Sequence, residues 1–478
     1  MLEAPSMRRP RGQFAFLVLL ILALTSTVPT VAHAAILPGS GPSTTNNDDT
    51  CDIAVMPAAT LLLPFFEVEI GAPTTRAKTT VFTVLNTVRE PQIAHVTVWT
   101  DWGFPVLSYN IFLTGYDVES VNLYDVLVRG FVAQEAVSSK RQGSRSMPNA
   151  ANPLFLSSAM EACAHNPTSI PQSLLTDVRQ ALTTGLTSSC TDRRVGGEHA
   201  KATGYVTIDL AATCTFRTPA DPAYYDELLY DNVLTGDYQH ISPNPQTGNY
   251  AGGEALVHIR AMPEGGPAGV NVATTLPYTF YDLHTPADAR RKDRRQPLPS
   301  AFAAHFVEGG PASFLTNVQF WREPAAGRGD ACSVPDNASM GFPDIVRFDE
   351  RENPQALGAS TLEVAAPLTL AAPAAGLLST GDAIFPPAIP GEVAGWMYLN
   401  LNNGGSASYS TASGHDLRTG SSTVRGPRQS QNWVTIAMFA ESRYSVLFDA
   451  TMLANGCSLA PRSTGSGNPI GPGPNVTP

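Results

Sequence analysis

Residues 93–123 read IAHVTVWTDWGFPVLSYNIFLTGYDVESVNL, and their alternation decides the fold class. From Ile93 to Thr100, small apolar side chains (Ala94, Val96, Val98) alternate with His95, Thr97 and Trp99. A turn follows at Trp102-Gly103-Phe104-Pro105. Val106 to Leu113 then sets Leu107, Tyr109, Ile111 and Leu113 on one face, with Ser108 and Asn110 on the other. After Thr114-Gly115-Tyr116-Asp117, a third strand carries Val121 and Leu123 beside Glu119. A period of two means that each strand buries one face, and Gly and Pro between the runs favour reverse turns. The expectation is a three-strand antiparallel meander needing a second layer, hence a mainly β protein built as an antiparallel β-sandwich.

Working outward, Phe65–Ile70 alternates Phe66, Val68 and Ile70 with Glu67 and Glu69, and Thr79–Leu85 is rich in Thr, Val and Phe. At least five strands are therefore expected within 51–130, the N-terminal sandwich region. Their spacing resembles secreted immunoglobulin-like modules in pattern only. The Cys…Trp…Cys spacing of antibody-type domains is missing, so the resemblance implies no function. Residues 131–250 read as a smaller mixed α+β insertion. Leu174, Leu175, Val178, Ala181 and Leu182 form one helical stripe between Pro171 and Gly185, and a second helix starts near Asp221-Pro222. Residues 251–460 return to β patterning and either complete the sandwich or form a second one. Arg89-Glu90-Pro91 and Arg322-Glu323-Pro324 each follow a Thr/Val/Phe-rich strand, a hint of two related halves that matches this short do not establish.

The ends are of another kind. Arg8, Arg9 and Arg11 precede an apolar run from Phe14 to Leu24, and Ala32-His33-Ala34 supplies a cleavage site. That is a secretory signal pattern over 1–34, cut between Ala34 and Ala35, with an apolar stretch too short for a permanent anchor. A flexible lead-in (35–50) and a Gly/Pro-rich tail (461–478) complete the expected layout. Residues 1–34 carry three arginines and one glutamate, so their removal shifts the net charge from −11 to −13. An acidic chain repels phosphate backbones, which argues against nucleic-acid binding. Six cysteines in an exported chain predict disulfides. Cys163 and Cys190 flank the predicted helix and are the expected pair; the partners of Cys51, Cys214, Cys332 and Cys457 stay open.

The chain carries no Gly-x-Ser-x-Gly elbow, His-Glu-x-x-His, P-loop, Gly-x-Gly-x-x-Gly or Ser-x-x-Lys. His95 and Asp101 share a strand but lie about 20 Å apart at strand rise, too far for a base and its orienter. Ser413-Gly414-His415-Asp416 has triad letters, but neighbours in one loop seldom converge. Glu254, His258 and Arg260 read as a solvated sheet face. Asp226, Asp231 and Asp237, with Glu227 and His240 near them, are the densest set of hard ligands and would suit calcium, although helix-surface acids explain the same spacing. Five basic residues within Arg290–Arg295, including Arg291 and Arg294, offer a grip for sulfate, phosphate or an acidic glycan, or form a solvated loop. Trp102, and Tyr409 in the long Asn402–Gln431 excursion, are flat rings suited to a polar ligand such as a glycan. Trp99, Trp321, Trp396 and Trp433 sit in strand patterns and read as packing residues.

The leading expectation is a secreted, non-enzymatic β-sandwich protein with a surface binding or structural role and no cofactor, its partner a glycan or a cell-surface protein. The alternative is an extracellular hydrolase on a β scaffold, with carboxylates brought together from different strands.

Overall fold

The structure is a computed structural model and describes residues 55–132, 169–191, 193–243, 252–261, 279–281, 292–299, 301–311, 313–324, 332, 345–351, 354–356, 375–379, 393–399, 431–440 and 444–454. The first half supplies β1 (Thr60–Val68), β2 (Thr79–Asn86), β3 (Gln92–Thr100), β4 (Pro105–Leu113), β5 (Val118–Asn122), β6 (Ala202–Ala211), β7 (Leu234–Ile241), β8 (Gly253–Ala255) and β9 (Val257–Ile259). Sheet A has the order β4-β3-β6-β1-β9 and sheet B the order β5-β2-β7-β8. Leu61, Leu63, Phe66, Phe82, Val84, Val96, Tyr109 and Tyr238 fill the space between them. Each such side chain taken from water contributes about 1.5–3 kcal/mol.

The second half supplies β10 (Ala301–Val307), β11 (Leu315–Arg322), β12 (Ile345–Asp349), β13 (Pro354–Ala356), β14 (Ala375–Ser379), β15 (Ala394–Leu399), β16 (Asn432–Ala440), β17 (Tyr444–Asp449) and β18 (Thr451–Ala454). Sheet C runs β13-β12-β15-β10-β18 and sheet D runs β14-β11-β16-β17. Phe302, Ala304, Phe306, Val318, Phe320, Val434, Ile436 and Met397 pack in one second core. Adding nine to every strand number turns sheet A into sheet C and sheet B into sheet D. The chain therefore holds two sandwiches of one topology, and Arg89-Glu90-Pro91 and Arg322-Glu323-Pro324 stand at the C-terminal ends of the matching strands β2 and β11.

Three features differ from the sequence reading. The meander has two strands, because β5 leaves β4 and pairs with β2 in the opposite sheet. The strand β3 buries both faces, all nine positions of it. Ala94, Val96 and Val98 face the first core, while Trp99 on the other face joins the second. A strand covered on both sides can hide His95 and Thr97 because hydrogen bonds satisfy them, so alternation of type does not mean alternation of exposure. Residues 131–250 supply α1 (Gln172–Thr184) and α2 (Tyr224–Glu227), and also β6 and β7, which lie inside sheets A and B. Along α1, Leu175, Val178, Ala181 and Leu182 are buried and Gly185 ends the helix at φ +69°, but Leu174 is exposed.

The expected Cys163–Cys190 bridge is corrected. Cys190 pairs with Cys332, with Cα atoms 5.5 Å apart across a separation of 142 residues. Cys163 lies outside the described residues, and Cys214 is also disulfide-bonded. The helix is thus stapled to the second half, not across its own ends. Unreduced peptide mapping is expected to recover Cys190 with Cys332, and the Cys332→Ser variant to lose about 2–4 kcal/mol of stability.

The outer faces of sheets A and D meet. Strands β11 and β14 touch β1, β14 touches β6, and the Ala375 amide donates to the Asp101 carbonyl at 3.0 Å. Trp99 and Tyr205 stack at 5.7 Å on sheet A, under Tyr281 and Trp321. Among the described residues no helix is long and apolar enough to cross a membrane.

Candidate functional site

Three polar clusters are built from strands far apart in sequence. The first surrounds Arg295, 1% exposed although it ends the basic run read as a solvated loop or anion grip. Its Nε and Nη2 donate to the two oxygens of Asp293, each at 3.0 Å, and its Nη1 donates to Asp209 at 2.9 Å. Asp209 projects from β6 and also accepts from Thr60 Oγ1 at 2.5 Å and from the Tyr224 hydroxyl. The rings of Tyr225 and Phe280 lie under the guanidinium. Burial by itself would depress this guanidinium; the two carboxylates override it and raise the pKa well above the usual value. Beside the cluster, His95 contacts Asn110, Thr97 and the Arg217 carbonyl, and burial lowers its pKa.

The second cluster gives Asp101 a partner that strand spacing cannot reveal. Its carboxylate accepts from the Gly197 amide at 2.9 Å and pairs with His199 Nε2 at 2.8 Å. Asp101 is buried and the His199 side chain is 31% exposed, a buried carboxylate orienting a half-open imidazole. The hydrogen bond that His199 donates to Asp101 raises the His199 pKa above its ordinary value. Nearby, Lys201 pairs with Glu67 at 2.6 Å.

The third cluster is a seam between sheets B and D. Gln319, Thr435 and Asp449 are paired across β11, β16 and β17 and share one face. Opposite them, Tyr238 pairs with Glu254 across β7 and β8, and His240 lies two residues on. His240 Nε2 reaches Gln319 Oε1 at 3.2 Å, and its Nδ1 reaches Thr80 Oγ1 at 2.9 Å. Asp449 accepts from Trp433 Nε1 at 3.0 Å and Thr435 Oγ1 at 3.2 Å, and the buried Tyr238 hydroxyl lies beside Thr435. Burial, then the Glu254 charge, pushes Asp449 up to about 7, and burial pushes His240 down to about 4.

The sign of the pH effect follows. The Asp449 carboxyl moves from 3.8 to about 7 on folding, so the folded chain holds a proton that the unfolded chain has released. Its contribution to stability falls as pH rises from about 4 to about 7 and is level above. Asp449→Asn keeps the acceptor oxygen and removes the charge. The variant is expected to be more stable than wild type by about 2 kcal/mol at pH 8, with no such gain near pH 4. Paired denaturant titrations at the two pH values check this; an equal difference at both contradicts it.

The residues singled out from sequence do not form one site. Asp226 on α2 is exposed and pairs with Lys292 at 2.5 Å. Asp231 is an exposed loop residue, and Asp237 points out from β7. Among the described residues no three His, Cys, Asp or Glu side chains converge as a metal group. His258 is buried, its Nε2 2.8 Å from Thr235 Oγ1, which corrects the solvated reading of that strand. Trp102, in a turn, and Arg294, in an irregular segment, are both half-buried. Arg291, Tyr409 and Ser413–Asp416 lie outside the described residues. Trp99, Trp321 and Trp433 are core residues as expected. His199 carries no motif, and Asp449 shows only as the end of a strand. No protein-family model, curated protein or solved structure matches the chain.

Proposed function

We propose that the chain is a secreted, non-enzymatic β-sandwich protein that acts at a surface, by binding or as a structural element. The observation that carries the reading is what the buried charges do. Asp209 is engaged by three donors and Asp293 by the fork of Arg295, so these groups tie the segment that precedes β10 to sheet A instead of waiting for a substrate. The signal pattern at 1–34 and the Cys190–Cys332 bridge support an oxidising, extracytoplasmic destination. A polar ligand such as a glycan would meet the turn at Trp102, the basic residues Arg291 and Arg294, or the excursion holding Tyr409.

One observation favours a second reading, an extracellular hydrolase with carboxylates drawn from different strands. Asp449 and Glu254 face one seam from different sheets, and Asp449 keeps its proton up to about 7, as a general acid must. The purified mature protein, offered glycan, ester and peptide substrates, separates the two. The binding reading expects no turnover, and capture on whole cells or a glycan panel that Trp102→Ala weakens. Turnover that disappears in Asp449→Asn overturns it.

A further inference from the structure

The two sandwiches share more than strand order. In the first, Gly204 sits opposite Phe66 on β1, and a Cβ on it would come within 2.0 Å of the Trp99 carbonyl oxygen and 3.1 Å of the Phe66 ring. In the second, Gly395 sits opposite Phe306 on β10, and its Cβ would meet the Phe348 oxygen at 2.1 Å and the Phe306 ring at 2.8 Å. The next residue in each case is aromatic and stacks on the neighbouring strand. Tyr205 lies on Trp99 at 5.7 Å with rings 2° from parallel, and Trp396 lies on Phe348 at 4.1 Å and 5°. Strand order, the glycine and the stacked pair all coincide, so the outer faces of sheets A and C are the same face in two repeats.

Their surroundings differ. On sheet A the face is closed: Trp99 and Tyr205 are fully buried beneath the outer side of sheet D, through Trp321, with Tyr281. On sheet C, Trp396 and Phe348 stay half-buried with Tyr398 in an aromatic cluster separate from the main cores, and His305 beside them is exposed. What covers the first face, beside the segment that carries Tyr281 and Arg295, is a sheet of the β14-β11-β16-β17 kind, and among the described residues one other sheet has that topology, sheet B. The outer side of sheet B carries Val81, Thr83 and Leu85, half-buried, with Val118 54% exposed on the edge strand β5.

We infer that sheet C of one copy docks on sheet B of a second copy, repeating between molecules the junction that joins sheets A and D within one. The occupant is another copy of this chain because the internal junction already shows which sheet type this face accepts. The contact joins two different surfaces, so it is heterologous and leaves a free end on each side. Stacks of copies follow, longer as concentration rises. The inference needs no ligand and stands apart from the surface-binding reading above.

Sedimentation of the oxidised mature protein, up to about 100 µM, tests it, since a contact with Kd near 10 µM would then be mostly formed. The expected result is a mass that climbs with concentration. Trp396→Asp, on sheet C, and Val118→Asp, on sheet B, are each expected to be monomeric alone. Mixed, they should form a one-to-one dimer, because each retains the face the other lacks. His305→Glu, at an exposed position on the same face as Trp396, gives the same readout should the Trp396 variant fold poorly. A wild-type mass that stays monomeric throughout overturns the inference. So does association that Val118→Asp leaves intact while a sheet C variant abolishes it, which would mean two sheet C faces pairing symmetrically.

Discussion

Tyr109→Asp is expected to be the most damaging single change in the first sandwich, costing about 5 kcal/mol or more and preventing folding in a marginally stable background. Tyr109 is fully buried on the core face of β4. Truncating the ring removes contacts worth about 3–5 kcal/mol. The new carboxylate would then sit in the apolar core opposite Val96, where it is either charged without a partner or protonated at a further cost. Glu119 already acts on this position, helping burial to raise the tyrosine pKa, and its charge would add repulsion. Two neighbours show that the effect belongs to the face and not to the strand. Ser108→Asp, half-buried on the other side, is expected to cost less than about 1 kcal/mol. Tyr109→Phe is expected to be neutral or slightly stabilising, because the hydroxyl has no hydrogen-bond partner in the core. Chemical denaturation of the three variants checks the ranking, and equal losses from Ser108→Asp and Tyr109→Asp would contradict the facing of β4.

What the letters showed was local, and what they hid was distant. The alternation through β3 and β4 was legible because strand period and turn chemistry are set by adjacent residues. The burial of both faces of β3 was not, since it depends on Arg217 and Tyr224 over His95 and on Tyr281 over Trp99, all more than one hundred residues later. The same limit explains the chemistry. Asp101 finds His199 at a separation of 98 residues, and Cys190 finds Cys332 at 142. A signal of the repeat was present in Thr203-Gly204-Tyr205 and Ala394-Gly395-Trp396, where glycine before an aromatic residue marks the close approach of the next strand. Two-residue matches acquire weight only once both are known to occupy equivalent strands.

Arg295 is the sharpest case, because in sequence it is one more cation in a basic run. Arg295→Ala is expected to cost about 3–5 kcal/mol, since it leaves Asp209 and Asp293 buried without their counter-charge. Lys292→Ala, in the same run, removes an exposed pair with Asp226 and is expected to change stability by less than about 0.5 kcal/mol. Arg295→Lys should fall between them, because an ammonium cannot reproduce the fork on Asp293 while reaching Asp209. The decisive member of the set is the double variant Arg295→Ala with Asp293→Ala. Asp209 would keep the Thr60 and Tyr224 hydroxyls as donors, whereas Asp293 loses the guanidinium that holds both its oxygens. Removing Asp293 as well should therefore recover part of the loss, a coupling that a purely steric role for Arg295 would not give. A harmless Arg295→Ala would mean that the sandwiches do not depend on this charge. A double variant no better than the single one would mean that its packing over Tyr225 and Phe280 matters more than its ion pairs.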